Sequence, residues 1–184
     1  MPLIDKGICY GQLDVGVNLK ATKACALELH NMLPKGIAVI TSPLQRCELL
    51  TTELIGLRPD LMVKSDPRLE EMYFGQWEGR PWADIDPAEL AAWTADFAHY
   101  RAGGTGESSG ESVAQFMARV AVAFDELDPE KDTLWVTHAG VIRAATLMAQ
   151  GTRHISRADE WPIDAPSYGQ WCKLTLPVTM TAKP

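Results

Sequence analysis

Two short runs place an ionisable side chain just after a strand-like segment: Ser42-Pro43-Leu44-Gln45-Arg46 and Thr137-His138-Ala139-Gly140. Between them, Arg68-Leu69-Glu70-Glu71-Met72-Tyr73-Phe74-Gly75-Gln76-Trp77-Glu78-Gly79 adds carboxylates. An arginine, a carboxylate and a histidine together suit phosphoryl transfer, in which charge must be gripped and a proton moved. Arg46 falls one helical turn beyond Ser42, at the amino end of a helix that follows a strand. Exposed amides and the positive end of the helix dipole favour a phosphate there, and a guanidinium grips it bidentately. The plainer alternative is a surface arginine at an ordinary strand–helix junction. His138 sits at the carboxyl end of a central strand, the edge where open α/β sheets bind ligands, and Ala139-Gly140 lets backbone approach closely. Its alternative is a histidine that only caps the next helix.

Glu70 and Glu71 are neighbours on a short segment and point different ways, so at most one of them faces a pocket. A carboxylate beside a bound phosphate has its charged form disfavoured, which suits a general acid; a solvated acidic turn is the competing reading. Trp77, Trp82 and Trp93 cluster around this region, either as core and lid packing or as an apolar wall for an aromatic or ribosyl leaving group. His30 and His99 fall within helical stretches and His154 in a polar loop, positions that suit structural or solvated roles. There is no HExxH, no zinc-type cysteine pair and no GxxxxGK[ST] loop, so neither a metal nor any other cofactor is expected.

The elements that must position these groups follow from periodicity and caps. Residues 1–17 read as loop. Asn18 caps a helix running to about Leu33, and Ile37–Thr41 is a continuously apolar strand of the buried parallel type. Ser42 reads as the cap of the next helix, with Pro43 at its first position and Gln45 completing a capping box. A second extended segment falls near Leu61–Lys64. Asp86-Pro87 opens a helix on which Leu90, Trp93 and Phe97 share a face, and Arg101–Gly110 reads as a flexible glycine loop. Val113, Phe116, Val120, Phe124 and Leu127 recur at helical spacing. Thr133–Thr137 is a strand, Ala139–Met148 the helix after it, and Trp171–Val178 a candidate late strand. Helix and strand interleave, giving an α/β fold with helices on both faces of a mainly parallel sheet.

A chain of 184 residues with 46% hydrophobic content holds one sizeable core, and residues 1–184 read as one domain. The formal charge of −7 argues against a broad nucleic-acid surface. No apolar stretch of membrane-spanning length and no signal-peptide core occurs, so a soluble cytoplasmic protein with no membrane partner is expected. The cysteines at 9, 25, 47 and 172 form no close pair and read as free thiols. Oligomeric state stays open, a dimer included.

Taken in order, Gly11-Gln12-Leu13-Asp14, Ser42–Arg46, Leu69–Gly79, Gly110-Glu111-Ser112 and Thr137–Gly140 resemble the histidine phosphatase superfamily, also called phosphoglycerate-mutase-like. The Phe-Gly-x-Trp-Glu-Gly wording at residues 74–79 is most similar to the alpha-ribazole phosphatase branch of cobalamin synthesis. The resemblance implies that Arg46 binds the phosphoryl oxygens, Glu71 donates the proton to the leaving group, and His138 contacts the transferring group. It implies a small phosphorylated substrate or inorganic phosphate as ligand, and a substrate-side lid over residues 80–110, with Trp77 and Trp82 as candidate lining. The family opens with a strand ending in Arg-His-Gly or Arg-His-Ala, whose histidine takes the phosphoryl group. No such run occurs in residues 1–184, so that central first strand is expected to lie upstream of this sequence. The resemblance thus points to a phosphomonoesterase if that segment exists; an inactive phosphate-ligand binder and a phosphoglycerate-type mutase are its alternatives.

Overall fold

The computed structural model describes residues 2–103, 106 and 108–176. Asn18 ends the first loop: its Oδ1 accepts the Ala21 amide at 3.1 Å and opens helix α1, Leu19–Met32. Strand β1, Ala38–Thr41, follows, then α2, Gln45–Leu57, and β2, Met62–Ser65. Helix α3, Pro87–Ala95, is capped by Asp86, whose Oδ1 accepts the Ala88 amide at 2.8 Å. Phe97 lies just past its end but still meets Trp93, ring to ring at 5.4 Å. Helix α4, Val113–Asp125, has a reciprocal capping box between Ser112 and Gln115. Strand β3, Thr133–Val136, and helix α5, Ala139–Ala149, complete the frame.

The three strands are parallel in the order β2-β1-β3. Alternation along β1 sends successive side chains to opposite faces. Val39 packs with Ala26 and Leu29 of α1 and Cys47 and Leu54 of α2. Ile40 packs against the larger cluster of Phe116, Met117 and Val120 from α4 with Val141, Ala144 and Met148 from α5. Helices therefore cover both faces, as the interleaved pattern predicts. Phe116 is fully buried, and truncating it to alanine would cost about 3–5 kcal/mol. Among the described residues no helix is long and apolar enough to cross a membrane.

Three sequence expectations need correction. Ser42 does not cap α2, which starts at Gln45; Ser42 Oγ lies 2.8 Å from His138 Nε2, and Asp14 Oδ1 accepts the Gln45 amide instead, at 2.9 Å. The candidate late strand is not a strand over Trp171–Leu176, and residues 177–178 lie outside the described ones. Gly103 and Gly110 of the 101–110 loop serve close packing rather than looseness, whereas a Cβ on Gly106 would meet nothing within 4 Å and Gly104 lies outside the described residues. A Cβ on Gly75, which has φ +56°, would fall 2.5 Å from the Gly110 amide nitrogen. The Glu111 amide donates to Tyr73 O at 2.8 Å, so two loops meet backbone to backbone.

Candidate active site

The register between β1 and β3 decides where the site lies. Thr41 pairs with Val136, so Ser42 and His138 emerge side by side at the carboxyl edge of the sheet. Helices α2 and α5 begin there with their amide ends toward the same spot, and Arg46 stands in the first turn of α2. His138 occupies the N-cap position of α5, yet its side chain makes no capping hydrogen bond. It turns instead to Arg46 and Ser42, which removes the reading of a histidine that only caps a helix.

Arg46 Nε donates to His138 Nδ1 at 3.1 Å. A guanidinium only donates, so Nδ1 carries the lone pair and the imidazole proton sits on Nε2, which donates to Ser42 Oγ at 2.8 Å. Cys47 Sγ lies 3.6 Å from the same Nε2. Burial, reinforced by Arg46 and Arg119, pushes the His138 pKa down to about 2, so the ring is neutral. Burial also pushes the Cys47 thiol up to about 12, leaving it protonated beside the histidine.

The rest of the Arg46 side chain faces the N-terminal loop. Nη1 donates to Leu13 O, Nη2 to Gly11 O, and the guanidinium carbon stands 5.2 Å from the centre of the Tyr10 ring. With Nε–H on His138, three of the five guanidinium N–H groups are engaged and two remain for an anion.

Glu71 reaches this edge from the loop after β2. Its Oε2 accepts the Gly140 amide at 3.0 Å and its Oε1 the Met72 amide at 2.9 Å. Thr137 Oγ1 donates to Leu69 O at 2.7 Å and ties the loop to the residue before His138. Asp66 caps the short turn Pro67–Leu69, and Arg68 spans Asp66 and Glu126 in ion pairs of 2.6 and 2.7 Å. Glu78 fastens the next stretch: its Oε1 accepts the amides of Gln12 at 2.8 Å and Phe74 at 3.0 Å, and burial raises its pKa. Gln12 Nε2 donates in turn to Glu71 O at 3.0 Å.

Arg46, Glu71 and His138 are thus brought to one edge of the sheet. Trp77 is not available to a ligand: it is fully buried, with Nε1 donating to Glu89 Oε2 at 2.8 Å. Trp82 is half-buried and stacks 6.2 Å from Trp93, so it keeps a face toward solvent. The Ser42 hydroxyl is a site group that sequence reasoning assigned to helix capping. Arg153-His154, an Arg-His pair followed by isoleucine rather than glycine or alanine, comes after α5, with Arg153 paired to Asp125 at 2.7 Å and set over Phe124. Among the described residues no three His, Cys, Asp or Glu side chains gather as a metal-binding set.

A family profile described as "Histidine phosphatase superfamily (branch 1)" matches residues 5–176. The chain is 32% identical over 125 residues to the adenosylcobalamin/alpha-ribazole phosphatase of Escherichia coli K12, a match covering 64% of this chain and 59% of the relative. It is 29% identical over 143 residues to the glucosyl-3-phosphoglycerate phosphatase of Mycobacterium tuberculosis, covering 73% and 64%. The chain thus spans about three fifths of the length of these curated relatives. The native structure of the mycobacterial glucosyl-3-phosphoglycerate phosphatase superposes with a TM-score of 0.62 at 26% identity, over 80% of this chain and 74% of that one. Its complex with inorganic phosphate superposes with a TM-score of 0.60 at 27% identity, over 77% and 72%.

Proposed function

This chain belongs to the histidine phosphatase superfamily, and on that premise we propose that its site serves metal-independent hydrolysis of a small phosphomonoester through a phosphohistidine. The observation that carries this reading is the convergence of Arg46, His138 and Glu71 at one sheet edge, linked through Arg46 Nε to His138 and through Gly140 N to Glu71. The two unspent Arg46 donors and the amino ends of α2 and α5 favour phosphoryl oxygens. His138, held neutral, adds no charge of its own and fixes the guanidinium. Glu71 protonates the leaving oxygen in the first step and takes a proton from water in the second.

The nucleophilic histidine belongs, in this proposal, to an Arg-His-Gly or Arg-His-Ala strand of the whole protein that lies outside residues 1–184. For the substrate we propose alpha-ribazole 5′-phosphate, supported by the wording of residues 74–79 and by the ring surface of Trp82 within a lid over residues 80–110. The test is phosphate release by the intact protein from its native source, comparing alpha-ribazole 5′-phosphate, glucosyl-3-phosphoglycerate and p-nitrophenyl phosphate. Faster release from the ribazole ester supports the substrate; no release from any of the three sinks the hydrolase reading. A second reading, a phosphate-ligand binder without turnover, is favoured by those two free Arg46 donors, which need no nucleophile to hold an anion. Phosphate binding without hydrolysis by the intact protein would establish it.

A further inference from the structure

Arg119 projects from α4, a helix whose buried positions are otherwise apolar: Val113, Phe116, Met117, Val120, Ala123 and Phe124. All of its donors are engaged. Nε and Nη2 meet the two Glu111 carboxylate oxygens at 2.7 and 2.8 Å. Nη1 donates to Arg68 O at 2.8 Å and Glu70 O at 2.9 Å, and Nη2 also donates to Glu71 O at 2.9 Å. Five N–H groups thus meet five acceptors, so Arg119 has none left for a phosphate. Glu111 then closes the bracket, because its Oε2 accepts the Tyr73 amide at 3.0 Å while its own amide donates to Tyr73 O. The guanidinium stands 4.9 Å from the centre of the Phe116 ring, which is fully buried, and this packing fixes its plane.

We propose that Arg119, held bidentately by Glu111, is the positioning residue for Glu71: it sets the carbonyls of residues 68, 70 and 71 and so aims the Glu71 carboxylate at the Gly140 amide. The proposal rests on the reading of Glu71 as the acid of the site. Leu69 and Met72 anchor this segment in the core, but apolar packing does not set the direction of the Glu71 side chain between them, and a displacement of about an ångström is enough to misplace a catalytic group. The guanidinium fork matches several carbonyls at once in a way an ammonium cannot, so lysine is not an equivalent.

The experiment compares Arg119→Lys, Glu111→Gln and Glu71→Ala with the wild type. The Gly140 amide resonance reports the Glu71 carboxylate directly, because it donates to Oε2. In the wild type it sits apart from its position in Glu71→Ala, which has no carboxylate to accept it. In Arg119→Lys it moves close to its position in Glu71→Ala, while the Trp77 indole resonance, which reports the contact with Glu89 on α3, keeps its wild-type place. A Gly140 resonance that keeps its wild-type position in Arg119→Lys overturns the proposal. Should Arg119→Lys lose the Trp77 marker and prove unfolded, Glu111→Gln answers the same question with one acceptor weakened.

Turnover gives the second readout. Arg119→Lys slows release of a poor leaving group such as phenol about 100-fold and spares p-nitrophenol, which departs without proton assistance. Equal loss on both esters overturns the aiming role in favour of general destabilisation. If the wild type turns over neither ester, the hydrolase reading fails, and the Gly140 resonance still decides for or against Arg119.

Discussion

The carboxylate of Glu71 fills the space that a side chain on residue 140 would need. A Cβ built on Gly140 would lie 2.1 Å from Glu71 Oε1, and the Gly140 amide donates to Oε2 at 3.0 Å. Gly140 lies in the first turn of α5, where alanine would ordinarily gain about 1 kcal/mol of helix stability. Overlap with Glu71 reverses the sign. Gly140→Ala is expected to lose about 1–3 kcal/mol in urea unfolding, the usual cost of overpacking. In a Glu71→Ala background the same change should become neutral or stabilising. A double-mutant cycle without coupling between the two positions would show that the contact does not hold in solution.

His138 makes stability depend on pH above the range of the arginine-paired carboxylates. Its pKa is lowered from 6.5 to about 2 in the fold, so between these values the unfolded chain binds the extra proton. The contribution is complete above about pH 6.5 and declines as pH falls, at about 1.4 kcal/mol per pH unit. Asp60, Asp66 and Glu126, whose pKa values their arginine partners lower, act mainly below about pH 4, and Glu70 and Glu78, whose pKa values burial raises, act with the opposite sign to His138. Urea midpoints measured from pH 7.5 to 5 should therefore fall in the wild type and fall less in His138→Gln. Parallel curves would mean that His138 titrates normally and is not held neutral.

Much of this arrangement was legible in the residues, and the exceptions share a physical cause. Asn18, Asp86 and the α4 periodicity act locally, and the elements they predict are present. Arg46 and His138 were readable because the strands before them are apolar and the fold class fixes which edge binds ligands. Ser42 misled because its spacing to Gln45 satisfies a capping box, while in three dimensions a histidine 96 residues away claims its hydroxyl. Trp77 was read as a candidate lining residue because ring type says nothing about which side of a turn faces the core. Arg119 left one signal, a lone cation within an apolar helix face, but its acceptors are backbone carbonyls that no sequence pattern displays.

Arg46 should dominate anion affinity. It has two N–H groups left over after His138, Leu13 and Gly11 are served, and its orientation is set before any ligand arrives. Arg46→Ala is expected to weaken vanadate or phosphate binding by about 10-fold or more, the range for loss of charge-assisted hydrogen bonds. Arg46→Lys should recover little of this, because an ammonium cannot serve the loop carbonyls, His138 and the ligand together. Calorimetry showing unchanged affinity in Arg46→Ala would place the anion elsewhere.

Glu71→Gln separates acid–base chemistry from binding. Glutamine keeps an oxygen that can accept the Gly140 or Met72 amide, so the site geometry has a means to survive the change. What it removes is the exchangeable proton. Release of phosphate from esters with poor leaving groups should drop by about 100-fold or more, the contribution of a positioned general acid. An ester of p-nitrophenol should lose far less, since its leaving group needs little help. Inorganic phosphate affinity should stay within a few-fold of wild type, because Arg46 and the helix amides are untouched. Equal turnover of a poor leaving group by Glu71→Gln and wild type would remove Glu71 from the chemistry and leave its contact with Gly140 as packing alone.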